Sequence, residues 1–295
     1  MKLVSKKSLA SILGIIFVSI HSFTAFSDSL GPTVPYYANV SIPANLTPSA
    51  AVGDTGVSAY ISANNPSATY YLTATPTAHQ NELLYQYFKN SVIIGDSIGS
   101  GWGIRCLKYQ SDPVMGNFQS LAYAGFCVHS AFDPTIKDAG TPLYMGQRRP
   151  VWESLQLMSQ THPGETTHIY LHFGYKDMPW DDTPEQYVKL IQTLQTYVPD
   201  SDVTILGASY IYPGNSCDPY SSSRIKALNA SMQQYAANYG WGYINIGEML
   251  SDQNGNLKPE YCSDEIIHLT PAGYDVWYQG LTAYALARMS AAGIQ

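Results

Sequence analysis

Two residues of this 295-residue chain raise a chemical question before any other. The run SVIIGDSIGSGWG (91–103) sets Ser97 where an apolar, β-branched stretch gives way to glycine. The run DEIIHLTP (264–271) sets His268 just ahead of a Thr-Pro pair. A hydroxyl at a strand-to-helix corner points off the sheet edge, and its own N–H is one of the unpaired donors of the helix's first turn. That N–H, aided by the helix dipole, can hold a developing oxyanion. The hydroxyl becomes a good nucleophile only when a base takes its proton, a role open to His268. The base needs a carboxylate on its other nitrogen, and Asp264 and Glu265 both stand close enough in sequence to supply it. Such a set moves an acyl group to water or to an alcohol.

Other chemistries fit less well. A dinucleotide fingerprint needs G-x-G-x-x-G, but Gly99-Ser100-Gly101-Trp102-Gly103 is followed by Ile104. No G-K-[ST] is present, which removes a P-loop. His168 and His172 share a strand face without an evident third ligand, so a metal centre is not expected. Asp252-Gln253-Asn254-Gly255-Asn256 is rich in oxygen ligands but lacks glycine at the sixth place and glutamate at the twelfth of a calcium loop, and reads as a surface turn.

The elements that must position Ser97 and His268 follow from periodicity. Residues 91–95, 118–124, 167–173, 202–209 and 242–246 read as strands. Helices are expected from Ile98 to about Tyr109, over 151–160, over 184–198 with Thr183 as N-cap, and over 221–240 closed by Gly240. A last helix starts at Thr270-Pro271 and runs to about Ala292. Strands separated by helices of this length argue for a parallel sheet covered on both faces. Ligands of such sheets bind beyond the carboxyl ends of the strands, which is where Gly95-Asp96-Ser97, Gly125, Gly174-Tyr175-Lys176-Asp177 and Asp264 to His268 all fall. Tyr175, Trp180 and the Tyr210/Tyr212 pair flank this region and are candidates to touch substrate.

These blocks resemble, in order, those of the SGNH/GDSL hydrolases, over roughly residues 88 to 290. Gly95-Asp96-Ser97 is similar to the first block and Gly125 to the second-block glycine. Gly174-Tyr175-Lys176-Asp177 is similar to G-x-N-D, and Glu265-Ile266-Ile267-His268 to D-x-x-H. The resemblance implies a flavodoxin-like α/β/α sandwich with about five parallel strands. It implies a nucleophilic Ser97, oxyanion donors on the N–H groups of Ser97 and Gly125, a general base at His268, no cofactor, and an ester substrate. The chain departs from the family pattern twice. Lys176 stands where the third oxyanion donor is asparagine; its ammonium can still donate hydrogen bonds. The triad acid is Glu265 by spacing, whereas a one-residue loop insertion would hand the role to Asp264. On this fold Cys217 and Cys262 lie on loops at the active-site end, so the preferred pairing of the four cysteines is Cys106–Cys127 with Cys217–Cys262.

Composition bounds the setting. Lys2, Lys6 and Lys7 precede an apolar run from Leu9 to Ile20, and Ala25-Phe26-Ser27 offers small residues for a peptidase, the pattern of a secretory leader over 1–27. No cysteine stands directly after the expected cut, so a lipid anchor is not expected, and a secreted or periplasmic location is. Its loss would make the chain more acidic than its net charge of −7. Nucleic acid and anionic lipid are disfavoured as partners, and no later stretch is long enough to span a bilayer. Low charge (13%) with 24 tyrosines suits a sugar-contacting surface. Residues 28–80 form a Ser/Thr/Ala/Pro-rich segment with candidate strands at 57–63 and 68–74, ahead of a hydrolase-type domain at 81–295. The reading is an exported serine esterase that removes acetyl or other short acyl groups from a glycan. An O-acyltransferase of the same fold and a weakened acyl-glycan-binding module are the alternatives.

Overall fold

The structure, a computed structural model, describes residues 46–51, 56–62 and 68–294. The proposed leader lies outside them. Strands β1 (Leu46–Ala51), β2 (Val57–Ser62) and β3 (Ala68–Leu72) form a small antiparallel sheet in sequential order. Helix α1 (Ala78–Phe88) follows, opened by a reciprocal capping box between Thr77 and Gln80.

The main body alternates strand and helix. It runs β4 (Ser91–Gly95), α2 (Ser97–Lys108), β5 (Phe118–Ala122) and α3 (Val128–Phe132). A short hairpin, β6 (Leu143–Tyr144) and β7 (Gln147–Arg148), leads to α4 (Val151–Ser159), β8 (Thr167–His172) and α5 (Thr183–Tyr197). Then come β9 (Ser201–Leu206), α6 (Ser222–Tyr239), β10 (Gly242–Ile244), α7 (Ile246–Met249) and α8 (Pro271–Ala291). Five of these strands make one all-parallel sheet in the order β10-β9-β8-β4-β5. Counted within the sheet this is 2-1-3-4-5 from the β5 edge, the flavodoxin-like order expected from the resemblance.

Every residue of β4 is buried, as a central strand covered on both faces requires. Val92, Ile93 and Ile94 are fully enclosed, each contributing about 1.5–3 kcal/mol of transfer free energy. Trp102 of α2 meets Trp277 of α8 at 5.8 Å between ring centroids and Phe118 of β5 at 5.7 Å. Helix α8 is buried on nearly all sides, the usual fate of a helix without a polar face. One side meets the sheet helices, and another meets the N-terminal sheet, where Tyr70 sits edge-on to Tyr284 at 5.3 Å. Thr270 caps it by accepting from Gly273 N–H, with Pro271 first in the helix. Helix α6 ends at Gly240 in the left-handed conformation.

One cap differs from expectation. Thr183 is the first helical residue of α5, not its cap, and its hydroxyl donates to the carbonyls of Asp177 and Trp180 at 2.9 and 3.0 Å. Asp182 occupies the cap position. Among the described residues no helix is long and apolar enough to cross a membrane.

The order 2-1-3-4-5 places a switch point between β4 and β8. The chain leaves β4 toward β5 on one side and leaves β8 toward β9 on the other, so the loops diverge and open a crevice. The register sets Gly95 between His172 and Ala122 at the strand ends. A Cβ on Gly95 would lie 2.3 Å from the His172 carbonyl oxygen, so only glycine lets the two backbones close there.

Candidate active site

Asp96 and Ser97 follow Gly95 at this corner. Asp96 is the N-cap of α2, and its Oδ1 accepts from Ile98 N–H at 2.9 Å and Gly99 N–H at 3.4 Å. The cap therefore serves the second and third helical residues and does not take the N–H of Ser97. The same carboxylate oxygen lies 3.3 Å from His172 Nδ1 beneath the site, which fixes the corner to β8.

His268 lies with Nε2 2.9 Å from Ser97 Oγ and Nδ1 2.5 Å from Asp264 Oδ2. The tautomer with Nδ1–H facing the carboxylate leaves Nε2 free to accept the Ser97 proton. The acid on the imidazole is thus Asp264, and the assignment of Glu265 from spacing is corrected. Glu265 adopts a left-handed backbone with φ 59°, which absorbs one extra residue and throws its side chain out of the loop. Asp264 Oδ1 meanwhile accepts the N–H groups of Ile266, Ile267 and His268 at 2.9, 3.0 and 3.1 Å. One carboxylate thereby folds the loop and orients the ring. Partial burial pushes the Asp264 carboxyl up, but the His268 hydrogen bond and charge and the backbone donors outweigh it and hold the group below the usual carboxylate range. The loop is braced from the other side, where Tyr212 N–H donates to the Ile266 carbonyl and the Asn215 amide donates to that of Glu265.

Gly125 sits in the turn after β5. Phe126 N–H donates to the Tyr123 carbonyl, and Gly125 has φ +76° at the third turn position, as a type II turn demands. A Cβ there would also lie 2.8 Å from the Asp138 carbonyl oxygen. Tyr123 N–H donates to the Gly95 carbonyl at 3.0 Å, which hangs this turn beside the Ser97 corner. Lys176 lies half-buried in the single 3-10 turn Tyr175–Asp177 after β8. The next residue, Asp177, is buried and accepts from Val128 N–H at 2.8 Å. The Gly125 segment and the Lys176 segment are therefore joined directly.

The aromatic candidates divide. Tyr175, half-buried beside Lys176, stacks on Tyr220 at 4.8 Å. Trp180 stacks on His129 at 4.4 Å, which occupies one of its faces. Tyr210 is buried, with its hydroxyl 3.1 Å from Glu248, and is core rather than wall. His168 and His172 are taken up separately, the first by Asp202 and the Tyr87 ring, the second by Asp96. Among the described residues no group of three His, Cys, Asp or Glu could hold a metal ion. Asp252 closes a turn on the N–H groups of Asn254 and Asn256. The four cysteines are free thiols, so neither expected disulfide is present. Cys106 points into the core from α2, Cys127 caps α3, and Cys262 Sγ approaches Asp264 Oδ1 at 3.5 Å. Sequence reasoning missed Tyr220, Asn215 and His129 as neighbours of the site, because no local pattern marks them; Cys262 was expected at the active-site end, but as a disulfide partner.

A parallel α/β sheet of this order, with a serine, a histidine and an aspartate in hydrogen-bonded line at its switch point, defines a serine hydrolase. The family model for the GDSL-like Lipase/Acylhydrolase family matches residues 93–276, and the chain belongs to that family. It acts, accordingly, on carboxylic esters. Among solved structures, one from Streptococcus pneumonia, provisionally described as a platelet activating factor, is 20% identical with a TM-score of 0.50, covering 70% of this chain and 92% of its own. A GDSL-like lipase of Bacteroides thetaiotaomicron is 15% identical with a TM-score of 0.45, covering 69% of this chain and 90% of its own. A lipase/acylhydrolase of Enterococcus faecalis is 14% identical with a TM-score of 0.45, covering 68% and 96%. At these identities the first likeness speaks for the fold alone. No curated protein matches the chain.

Proposed function

We propose that the chain is an exported serine esterase that removes acetyl or other short acyl groups from a glycan, through an acyl-enzyme on Ser97. The observation that carries the chemistry is the line Ser97 Oγ, His268, Asp264 at 2.9 and 2.5 Å. Export rests on the leader pattern of residues 1–27, and the glycan on a weakly charged, tyrosine-rich chain with an aromatic pair at the Lys176 turn.

In the first step Ser97 Oγ bonds to the ester carbon as its proton passes to His268 Nε2. The tetrahedral oxyanion is held by the N–H groups of Ser97 and Gly125, with the Lys176 ammonium in the place of the third donor. Collapse breaks the bond to the alcohol oxygen, which leaves with the proton from His268. Water then attacks the acyl-enzyme by the same route and frees the acid. Asp264 holds the ring in its productive tautomer and balances the imidazolium.

The test uses p-nitrophenyl acetate, butyrate and longer esters beside an acetylated oligosaccharide, with wild type, Ser97→Ala and Lys176→Asn. Turnover lost in Ser97→Ala, falling with chain length and present on the oligosaccharide, is the expected result. Absence of wild-type hydrolysis that Lys176→Asn restores would replace the esterase by a binding module. Turnover that rises with an added sugar acceptor would replace it by an acyltransferase.

A further inference from the structure

His129 has no part in the scheme above, yet it is held by two acids from one neighbouring segment. Its Nδ1 lies 3.3 Å from Asp177 Oδ1 and its Nε2 3.0 Å from Asp182 Oδ1, with the Trp180 ring stacked across it at 4.4 Å. His129 belongs to the short helix α3 that leaves the Gly125 turn. Asp177 ends the turn that carries Lys176, and Asp182 caps α5. The Asp177 carboxylate is buried with its Oδ2 unpartnered, so His129 and the Val128 N–H supply its hydrogen bonds.

Resting on the serine-esterase reading above, we propose that His129 is a positioning residue, whose imidazolium clamps Asp177 and Asp182 and so fixes the spacing between the Gly125 and Lys176 segments on either side of the oxyanion position. The two acids are 3.3 and 3.0 Å from the two ring nitrogens, and only the doubly protonated ring can donate to both. A neutral ring keeps one bond and turns a lone pair toward the other carboxylate.

The charges around the ring agree with this. Burial pulls the His129 imidazole down, but the hydrogen bonds and charges of Asp177 and Asp182 outweigh it and raise the group above the ordinary histidine value. Burial raises Asp177, opposed by His129, while His129 lowers Asp182. The other charged or titratable groups nearby are Asp96 and the Cys127 thiol beside Asp177, Lys189 of α5 over the Phe132 ring, and Arg224 of α6, which binds Asp181 and the Met178 carbonyl. A histidine raised in the fold stabilises it below the ordinary histidine value, and that contribution is lost as pH rises through the raised value. The clamp therefore opens on the alkaline side. His268 acts in the opposite direction, since general-base catalysis needs it neutral.

The test measures kcat against pH for wild type, His129→Gln and Asp182→Asn, together with the Gly125 and Tyr175 backbone amide shifts by NMR. Asp182 is exposed at its cap, so its variant keeps the fold even where His129→Gln does not. Wild-type kcat, which needs a neutral His268 on its acid limb, should fall about tenfold on the alkaline side, the scale of a displacement well under 1 Å when 1 Å costs about 10²-fold. Both amides should titrate with the fall. Asp182→Asn should move the fall and the amide midpoint to lower pH and leave the acid limb in place, and His129→Gln should abolish the fall. Amides that ignore His129, or variants that lower kcat equally at every pH, would overturn the clamp. Amides that titrate as described in a protein that hydrolyses no ester would uphold the clamp and overturn the esterase reading.

Discussion

Replacing Asp264 by asparagine separates the two jobs of one carboxylate. Asn Oδ1 can keep accepting the three backbone N–H groups at 2.9–3.1 Å, so the loop from Asp264 to His268 stays folded. The other position, 2.5 Å from His268 Nδ1, becomes an NH2 group. A donor now faces a donor, the imidazole moves its proton to Nε2, and Nε2 can no longer accept from Ser97. Loss of the correct tautomer in intact geometry costs about 10⁴ in kcat, which is about 5.4 kcal/mol at 1.36 kcal/mol per tenfold. Glu265→Gln should change kcat by less than about twofold, since surface changes of this kind are near neutral. Initial rates on p-nitrophenyl acetate for both variants, with melting curves to show that each is folded, decide the matter. A Glu265→Gln loss approaching 10³ beside an Asp264→Asn variant with a tenth of its activity or more would refute the assignment.

Three further outcomes follow from particular contacts. Gly125→Ala places a Cβ 2.8 Å from the Asp138 carbonyl at φ +76°; it should lose about 1–2 kcal/mol in urea denaturation and about 10²–10³ in kcat as an oxyanion donor shifts. Asp96→Ala removes the cap from Ile98 and Gly99 and the partner of buried His172; a denaturant titration should show about 2 kcal/mol lost, the upper range for a cap. Because the Asp264 carboxyl is lowered in the fold, its stabilisation is present above the usual carboxylate range and vanishes as pH falls through the lowered value. The stability gap between wild type and Asp264→Asn should therefore be flat near neutral pH and close in acid.

The strands of the sheet were legible because the inner ones carry their signal locally, whereas their order came only from the family resemblance. SVIIG, THIYLHF and DVTILGAS are apolar runs of strand length, which a strand covered on both faces requires. The helix ends at Thr270-Pro271 and Gly240 also declared themselves through cap chemistry. The start of α1 was equally present in Thr77 and Gln80, yet it lies outside a longer apolar pattern. The β6–β7 hairpin turns on Met145 and Gly146, both at positive φ, and methionine is a poor signal for that conformation. Ser97 and His268, which the structure sets 2.9 Å apart, were singled out with Gly125 from their places near strand ends. The acid was misjudged because counting residues back from His268 cannot see that Glu265 is left-handed. His129 was invisible because its partners, Asp177 and Asp182, come from the far side of the crevice. The disulfide expectation failed for the same reason: cysteine count says nothing of which faces Cys106 and Cys127 occupy.

The account stands most directly on Ser97 as the atom that bonds to the acyl group. Wild type mixed with p-nitrophenyl acetate, quenched in acid within the first turnover and digested, should yield the peptide containing Ser97 carrying one acetyl group, with a matching burst of p-nitrophenol. The same peptide from Ser97→Ala should carry none. An acetyl group on another residue, or steady hydrolysis that survives in Ser97→Ala, would contradict the account.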